Sequence, residues 1–487
     1  MEDFSFGSNM QVTPYPHQLR AVERSLRDGF SLFVHPTGSG KTVTALLIAE
    51  SFLKNGRVGI LIAGPANTLG HYIAIGKRFF PNLKLRLHKG PYTEGQDVSL
   101  VSYDMLKRHL DSYPSSIDLV IFDEIHHCKN YETKNSAMAW ILRGRARCFI
   151  GMTGTPYQNS FTEFSEIVNL VANSKEYLEI DNYLEYRWDY NNSWFFERWW
   201  QIYIVGRPIR GPVVGFKNQE DLKTKLLKII DVADEESIIK ATGRPYAKIE
   251  VVHLRLSEKE WKVYKKVTGR KKGKVLEKVE LDQYNDGEMK SLFNGLAHAR
   301  QALLIPNYCI QDEVKVISTK IKEISIEILK RRKRSLVFCN FVENGTEEIT
   351  KELRENGVNA HTYTGQLSEK SRVQILEEFR ASAIEVLCMS PVGGEGLDIP
   401  EAEEILIADL HYNPEVVRQM IGRALRAGSK KVEIPVKIFL IHGPNGEKTV
   451  DDRIFEIYQR KEKLISYLKG LIENRKQNVE QVRQHEK

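Results

Sequence analysis

The 487-residue chain is 41% hydrophobic, 28% charged and 9% aromatic, proportions of packed domains that exclude collagen-like, coiled-coil and wholly disordered chains, and its length sets a prior of about three domains. No run of about 18 uncharged apolar residues occurs, and the acidic start Met1-Glu2-Asp3 has no apolar stretch behind it, so an intracellular protein without a membrane span is expected. Five scattered cysteines, never in a Cys-x-x-Cys pair, fit a reducing compartment, and 71 Lys and Arg against 64 Asp and Glu, a formal charge of +7, are compatible with a polyanionic partner without requiring one.

Short β-branched and aliphatic runs alternate with longer amphipathic stretches, the pattern of a parallel α/β sheet. In the first half the spacing predicts strands at Ser31 to Val34, Val58 to Ala63, Val98 to Ser102, Asp118 to Phe122 and Cys148 to Met152. From Tyr177 to Phe216 aromatics crowd together, and four of the six tryptophans, Trp188, Trp194, Trp199 and Trp200, fall in thirteen residues. An inserted subdomain with its own small core is the preferred reading, because aromatic rings bury large areas; a platform for stacked bases is the alternative. Helices are expected over Gln219 to Lys240 and Ser257 to Arg270, broken at Gly243-Arg244-Pro245. The basic run from Trp261 to Lys274, like the basic stretch Arg453 to Lys487, reads equally as a solvated face or as a phosphate-tracking surface. After about Ser318 the rhythm restarts, with strands at Ser335 to Cys339, Asn359 to Tyr363, Ile384 to Met389, Glu404 to Ala408 and Val436 to Ile441, and a helix over Leu367 to Phe379. Two α/β domains follow, residues 1–250 and 251–487, with an aromatic-rich insertion at about 175–217, a helical insertion at about 257–312 and a C-terminal helical extension at about 446–487.

Two segments carry chemistry. His35-Pro36-Thr37-Gly38-Ser39-Gly40-Lys41-Thr42 lies between an apolar strand and a helical run. Such a glycine-rich turn lets backbone N–H groups wrap a polyphosphate at a helix N-terminus, with Lys41 reaching the β and γ phosphates and Thr42 placed to ligate Mg²⁺. His35 stands where the strict pattern has its first glycine. Asp123-Glu124-Ile125-His126 follows the strand Leu119 to Phe122. A carboxylate there can hold Mg²⁺ and the next can deprotonate an attacking water, which assigns Asp123 to the metal and Glu124 as the base. The adjacent His126, His127 and Cys128 are too close in sequence at a strand end to converge on one zinc ion.

Together these segments resemble a nucleic-acid motor of helicase superfamily 2. Pro14-Tyr15-Pro16-His17-Gln18 looks like the adenine-reading element, with Gln18 as the base contact. Thr153-Gly154-Thr155-Pro156 matches the coupling motif, and its continuation Tyr157-Gln158-Asn159 is similar to the remodeller-type, Swi/Snf-like branch of double-stranded DNA translocases. In the second half Leu336 to Phe341, Tyr363-Thr364-Gly365, Gly393-Gly394-Glu395-Gly396-Leu397-Asp398 and Gln419 to Gly428 occur in family order. Ile249 to Tyr264 and Lys448 to Ile454 resemble the same branch, whose architecture poxvirus-type nucleoside triphosphatases share. Read alone, the glycines from Gly393 to Gly396 would be a tight turn after a strand, and Arg423 and Arg426 a surface ion pair.

The resemblance implies two tandem RecA-like domains (α/β) that hydrolyse ATP with Mg²⁺ between them, as a monomeric motor bound to double-stranded DNA. It assigns Gln18, Gly38, Ser39, Gly40, Lys41, Thr42, Gly396 and Asp398 to the nucleotide, Thr42 and Asp123 to the metal, and Lys41, Asp123, Glu124, Arg423 and Arg426 to catalysis. Nucleic-acid backbone contacts are expected from the segments that begin at Pro65, Ser102, Asn340 and Ser390. A strand-separating DNA or RNA helicase is the runner-up, and a nucleotide-gated binding clamp a third reading.

Overall fold

The computed structural model describes residues 13–130, 133–154, 161–172, 204–206, 213–216, 218–269, 286–306, 316, 318–391, 397–426, 429 and 431–473. The sequence readings at Thr155 to Asn159, the tryptophan cluster, Arg270 to Lys274, Gly393 to Gly396, Ala427-Gly428 and 474–487 lie outside these residues. The chain divides into two compact units, one of residues 1–209, 213–242 and 464–487, the other of 210–212 and 243–463.

In the first unit β1 (Phe30–Val34), β2 (Ile60–Gly64), β3 (Leu85–His88), β4 (Val98–Ser102), β5 (Ile117–Asp123) and β6 (Ala146–Thr153) are followed by an antiparallel pair, β7 (Ile204–Gly206) and β8 (Val213–Phe216), and by β9 (Ile230–Val232). All strands but that pair form one parallel sheet in the order β3-β4-β2-β5-β6-β1-β9. Its helices are α1 (Pro16–Asp28), α2 (Lys41–Lys54), α3 (Ala66–Phe79), α4 (Tyr103–Arg108), α5 (Lys134–Arg145), α6 (Phe161–Ala172), α7 (Gln219–Ile229) and α8 (Glu235–Thr242). Parallel neighbours need crossover connections, so helices cover both faces and the strands become continuously apolar; every residue of β2 and β4 is buried. Period-two alternation divides the core accordingly. Leu32, Phe122 and Phe149 pack on one face, and Phe33, Ile121 and Ile150 on the other.

Register brings the C-terminal strand ends to one edge: Val34 lies opposite Thr153, Asp123 opposite Met152 and Gly64 opposite Ser102. The helix expected over Gln219 to Lys240 is interrupted. Ile230–Val232 pairs with Leu32 to Val34 as the sheet's edge strand, while Arg24 of α1 donates to the carbonyls of Leu227 and Ile230. Tertiary pairing overrides local helix preference here.

The second unit contains β10 (Tyr246–Arg255), α9 (Glu258–Gly269), α10 (Asp286–Leu304), α11 (Thr319–Arg331), β11 (Ser335–Phe338), α12 (Glu347–Glu355), β12 (Ala360–Tyr363), α13 (Glu369–Arg380), β13 (Val386–Met389), β14 (Glu404–Ile407), α14 (Pro414–Gly422), β15 (Glu433–His442) and, up to Lys463, the first part of α15 (Val450–Glu473). Its sheet runs β10-β15-β14-β11-β13-β12, again parallel throughout. Leu336, Phe338 and Leu387 pack on one face, Val337, Cys388 and Phe439 on the other. A boundary at residue 250 would cut β10, which pairs with β15 along its whole length; the division falls instead after Thr242, and residues from 464 onward group with the first unit.

Two buried polar clusters pin the second unit's helices. Glu260 of α9 accepts from the Thr319 N–H and hydroxyl at the start of α11, both at 2.7 Å, and Lys320 Nζ lies 2.6 Å from Asp451 Oδ2 at the start of α15. Among the described residues no helix is long and apolar enough to cross a membrane.

Candidate functional site

The phosphate loop leaves the buried end of β1 and enters α2. Gly38 and Gly40 both have φ of +81°, the left-handed region that a side chain resists. A Cβ on Gly40 would also lie 2.7 Å from Gln18 Nε2. Two α1 residues grip this loop from behind: His17 Nε2 is 2.8 Å from the Ser39 carbonyl, and Gln18 Nε2 donates to the Gly40 carbonyl at 3.4 Å while its Oε1 accepts from Tyr15 N. Gly154, after β6, closes the other side; a Cβ there would stand 3.6 Å from both Lys41 Nζ and Thr37 N.

Lys41 Nζ donates to the His35 carbonyl at 3.2 Å and lies 3.8 Å from Glu124 Oε1. The Ser39 hydroxyl is buried without a partner among the described residues. A positive-φ loop at a helix N-terminus, a cation above it and an orphaned hydroxyl within it fit a phosphate chain. Thr42, the second residue of α2, sits beside them.

His35, which breaks the strict loop pattern, is fully buried. Its Nε2 lies 3.3 Å from Asp231 Oδ1 on β9, and Asp231 also accepts from Arg20 Nε at 2.7 Å and Nη2 at 2.9 Å. Burial pushes the His35 pKa down, so the ring is neutral and its Nε2–H donates to the carboxylate. Burial would raise the Asp231 pKa, but His35 and Arg20 hold it well below the usual carboxylate range. Nothing in the sequence pointed to Arg20 or Asp231: the partners are separated by 211 positions, and β9 read as helix; His17 stood in the adenine-reading element but not as a support of the loop.

Asp123 ends β5 and Glu124 begins the turn after it. Glu124 has φ of +51°, a conformation costing about 1–2 kcal/mol outside glycine, which turns its side chain back toward Lys41. Its Oε2 lies 3.2 Å from His126 Nδ1 and accepts from Thr153 Oγ1 at 3.4 Å. Burial pushes the Glu124 carboxyl up, but Lys41 and His126 outweigh it and hold the group below its ordinary range. Burial and the neighbouring Glu124 together push Asp123 up. Asp123 Oδ1 accepts from Glu124 N at 3.1 Å, Oδ2 from the Tyr72 hydroxyl at 3.0 Å, and its main-chain oxygen from the Tyr103 hydroxyl at 2.6 Å. His126 and His127 stand in the one-turn helix Ile125–Cys128, where His126 serves Glu124 and Thr153.

In the second unit Asn340 leaves β11 with its side-chain amide donating to Asp409 O at 2.8 Å and Oδ2 at 2.7 Å. Arg300 of α10 grips the same carboxylate through two bonds of 2.9 and 2.6 Å, and its guanidinium lies over the Phe341 ring. Arg423 is buried just after α14, where its carbonyl accepts from Ile399 N. Arg426 Nη2 lies 2.5 Å from Asp398 Oδ1. The first unit thus brings together Gln18, Gly38 to Thr42, Asp123 and Glu124, and the second brings together Asp398 and Arg426; Gly396 lies outside the described residues.

The SNF2-related domain profile matches residues 22–307, more than half of the chain. The chain belongs to the SNF2-related family. The helicase conserved C-terminal domain matches residues 319–428. A protein of Acanthamoeba polyphaga mimivirus named for ATP-dependent RNA helicase activity is 23% identical over 92% of this SNF2-related chain and 94% of its own. An uncharacterized ATP-dependent helicase of Mycoplasma pneumoniae is 23% identical over 94% of the chain but only 41% of its own length. The solved helicase domain of Pyrococcus furiosus Hef superposes with a TM-score of 0.52 at 15% identity, covering 91% of this chain and 97% of that one. The two parallel sheets are therefore tandem RecA-like domains, and the chain is an ATP-hydrolysing nucleic-acid motor of helicase superfamily 2.

Proposed function

We propose that this SNF2-related motor is a monomeric, Mg²⁺-dependent translocase that tracks double-stranded DNA without separating its strands. The observation that carries the catalytic part is the convergence at one sheet edge of the Gly38 to Gly40 loop, Lys41 Nζ and Glu124, the last 3.8 Å apart. Thr42 and Asp123 would hold Mg²⁺, which when bound draws charge from the phosphate oxygens. Lys41 neutralises the β and γ phosphates, and Glu124, kept ionised by Lys41 and His126, orients the attacking water and takes its proton. Gln18 reads the adenine edge. Arg423 and Arg426 of the second unit, with Gly396 and Asp398 beside the nucleotide, stabilise the transferring group, a contribution of about 10³ to 10⁵ in rate for such arginines. Backbone contacts come from the segments beginning at Pro65, Ser102, Asn340 and Ser390, and contacts of that kind carry no base sequence.

Duplex preference rests on the branch that the coupling-motif continuation and the segments around Leu256 to Tyr264 and Asp451 to Ile454 resemble. ATPase rates with duplex DNA, single-stranded DNA, forked DNA and RNA, measured side by side, test it. The expected result is strongest stimulation by duplex DNA, with ATP-dependent displacement of a third strand from a triplex and an intact underlying duplex. The mimivirus relative's name favours a second reading, an RNA helicase. Stronger stimulation by RNA or single strands, with efficient melting of a tailed duplex, would establish that reading instead.

A further inference from the structure

Asp123 is held by two tyrosines whose places in the chain are more informative than their chemistry. Tyr72 is fully buried in α3, the helix that begins one residue after Pro65, and Tyr103 is the first residue of α4, directly after Ser102. Both Pro65 and Ser102 open segments assigned above to the nucleic-acid backbone. The turn between β2 and α3 is outward-facing, with Ala66 and Asn67 exposed, and α4 is capped by the Ser102 hydroxyl, which accepts from Met105 N. Tyr72, midway along α3, and Tyr103, buried like Ser102 at the start of α4, meet the same aspartate: Tyr72 Oη donates to Oδ2 at 3.0 Å, Tyr103 Oη to the main-chain oxygen at 2.6 Å. Between them the β2 strand end is in close packing with the same residue; a Cβ on Gly64 would stand 3.3 Å from Asp123 Cβ. The same point lies 3.5 Å from Thr68 Oγ1 of α3, so the strand end, α3 and the aspartate pack against one another.

We propose that Tyr72 and Tyr103 are positioning residues that couple nucleic-acid occupancy of the Pro65 and Ser102 segments to the setting of the Asp123 carboxylate. Tyr72 selects which Oδ2 lone pair remains for the metal shell, and Tyr103 fixes the peptide that aims the carboxylate. A backbone phosphate drawn onto the α3 start displaces the helix, the Tyr72 hydroxyl follows, and the carboxylate takes up its hydrolytic setting. The proposal rests on the nucleic-acid reading of those two segments, and energetic coupling between sites is reciprocal at equilibrium.

Tyr72→Phe and Tyr103→Phe each remove one hydroxyl and keep the ring, and thermal melting establishes that they fold. Two ratios are measured for the full chain and both variants. One is duplex-stimulated over unstimulated ATPase; the other, which needs no turnover, is the duplex dissociation constant without and with Mg²⁺ and a non-hydrolysable ATP analogue, from fluorescence anisotropy. In Tyr72→Phe both ratios are expected to move toward one by roughly tenfold, within the usual span of coupling between sites, and in Tyr103→Phe in the same direction by less. A variant with a lower melting temperature but both ratios unchanged would show that the hydroxyls serve only stability and overturn the proposal. A parent whose ratios are both one with every nucleic acid tried overturns the nucleic-acid reading and the coupling together, so the two failures are distinct. If Tyr72→Phe does not fold, the Tyr103→Phe ratios decide.

Discussion

Glu124 occupies a strained backbone conformation, and the strain is useful only if the carboxylate it aims is a base. Glu124→Gln keeps the shape and most hydrogen bonds but cannot accept a proton, so ATP affinity should stay within a few-fold while turnover falls by about 10² to 10⁴. Lys41→Ala, by contrast, removes the charge facing the phosphates, and its loss should appear first in nucleotide affinity. Equilibrium binding of a fluorescent ATP analogue beside steady-state hydrolysis separates the two. His17 gives a stability test of the loop's support. Burial brings its pKa down to about 4, so between about pH 6.5 and 4 the unfolded chain binds a proton that the folded one refuses, and stability falls as pH falls through that window. His17→Gln retains an N–H for the Ser39 carbonyl and abolishes the uptake. Its stability should lose up to about 1.4 kcal/mol less per pH unit than the parent on that acid limb, read from denaturant midpoints.

At the scale of elements, the strands foreseen from apolar runs agree with the structure to within three residues at either end, because in a sheet covered on both faces burial and hydrophobicity are nearly the same signal. Three strands of the two large sheets were not foreseen, β3, β9 and β10, and each lies at a sheet edge. Edge strands are half solvated and carry polar side chains, such as Arg86 in β3, Asp231 in β9, and Lys248 and Glu250 in β10, so their pattern resembles loop or helix. The loop and carboxylate motifs were legible because phosphate and metal chemistry demands fixed residue types at fixed short spacings. Their supports, Arg20, Tyr72, Tyr103, Arg300, Asp231 and Asp409, obey no such spacing and become visible only when the sheet is assembled. The buried pair Lys320 and Asp451, linking α11 to α15, belongs to the same class. Lys320→Met would leave the buried Asp451 carboxylate, among the described residues, with the Ile441 N–H as its remaining donor, and breaking such a pair costs about 3–5 kcal/mol. Urea denaturation should show the loss, with a smaller deficit when Asp451→Leu is added.

For the whole molecule, binding and hydrolysis are separable in principle, and Arg426 is where they should part. Arg426→Ala is expected to leave ATP and duplex affinities within a few-fold while removing most duplex-stimulated turnover; unchanged stimulated turnover would return Arg426 to a structural partner of Asp398. Duplex affinity should fall steeply with salt, by about 0.9 in log affinity per phosphate contact for each tenfold rise, in parent and variant alike. The long reach between Arg20 and Asp231 has a consequence during synthesis. The phosphate-loop motif is complete by residue 42, yet the carboxylate that steadies His35 arrives with β9, about 190 residues later, which at about 5–20 residues per second is roughly 10–40 s on the ribosome. Through that interval the nascent domain carries an intact nucleotide motif on a sheet still missing its last strand, open at the edge beside β1. A message truncated before codon 230 would therefore encode every residue of the loop and yield a chain for chaperones and proteases rather than a nucleotide binder.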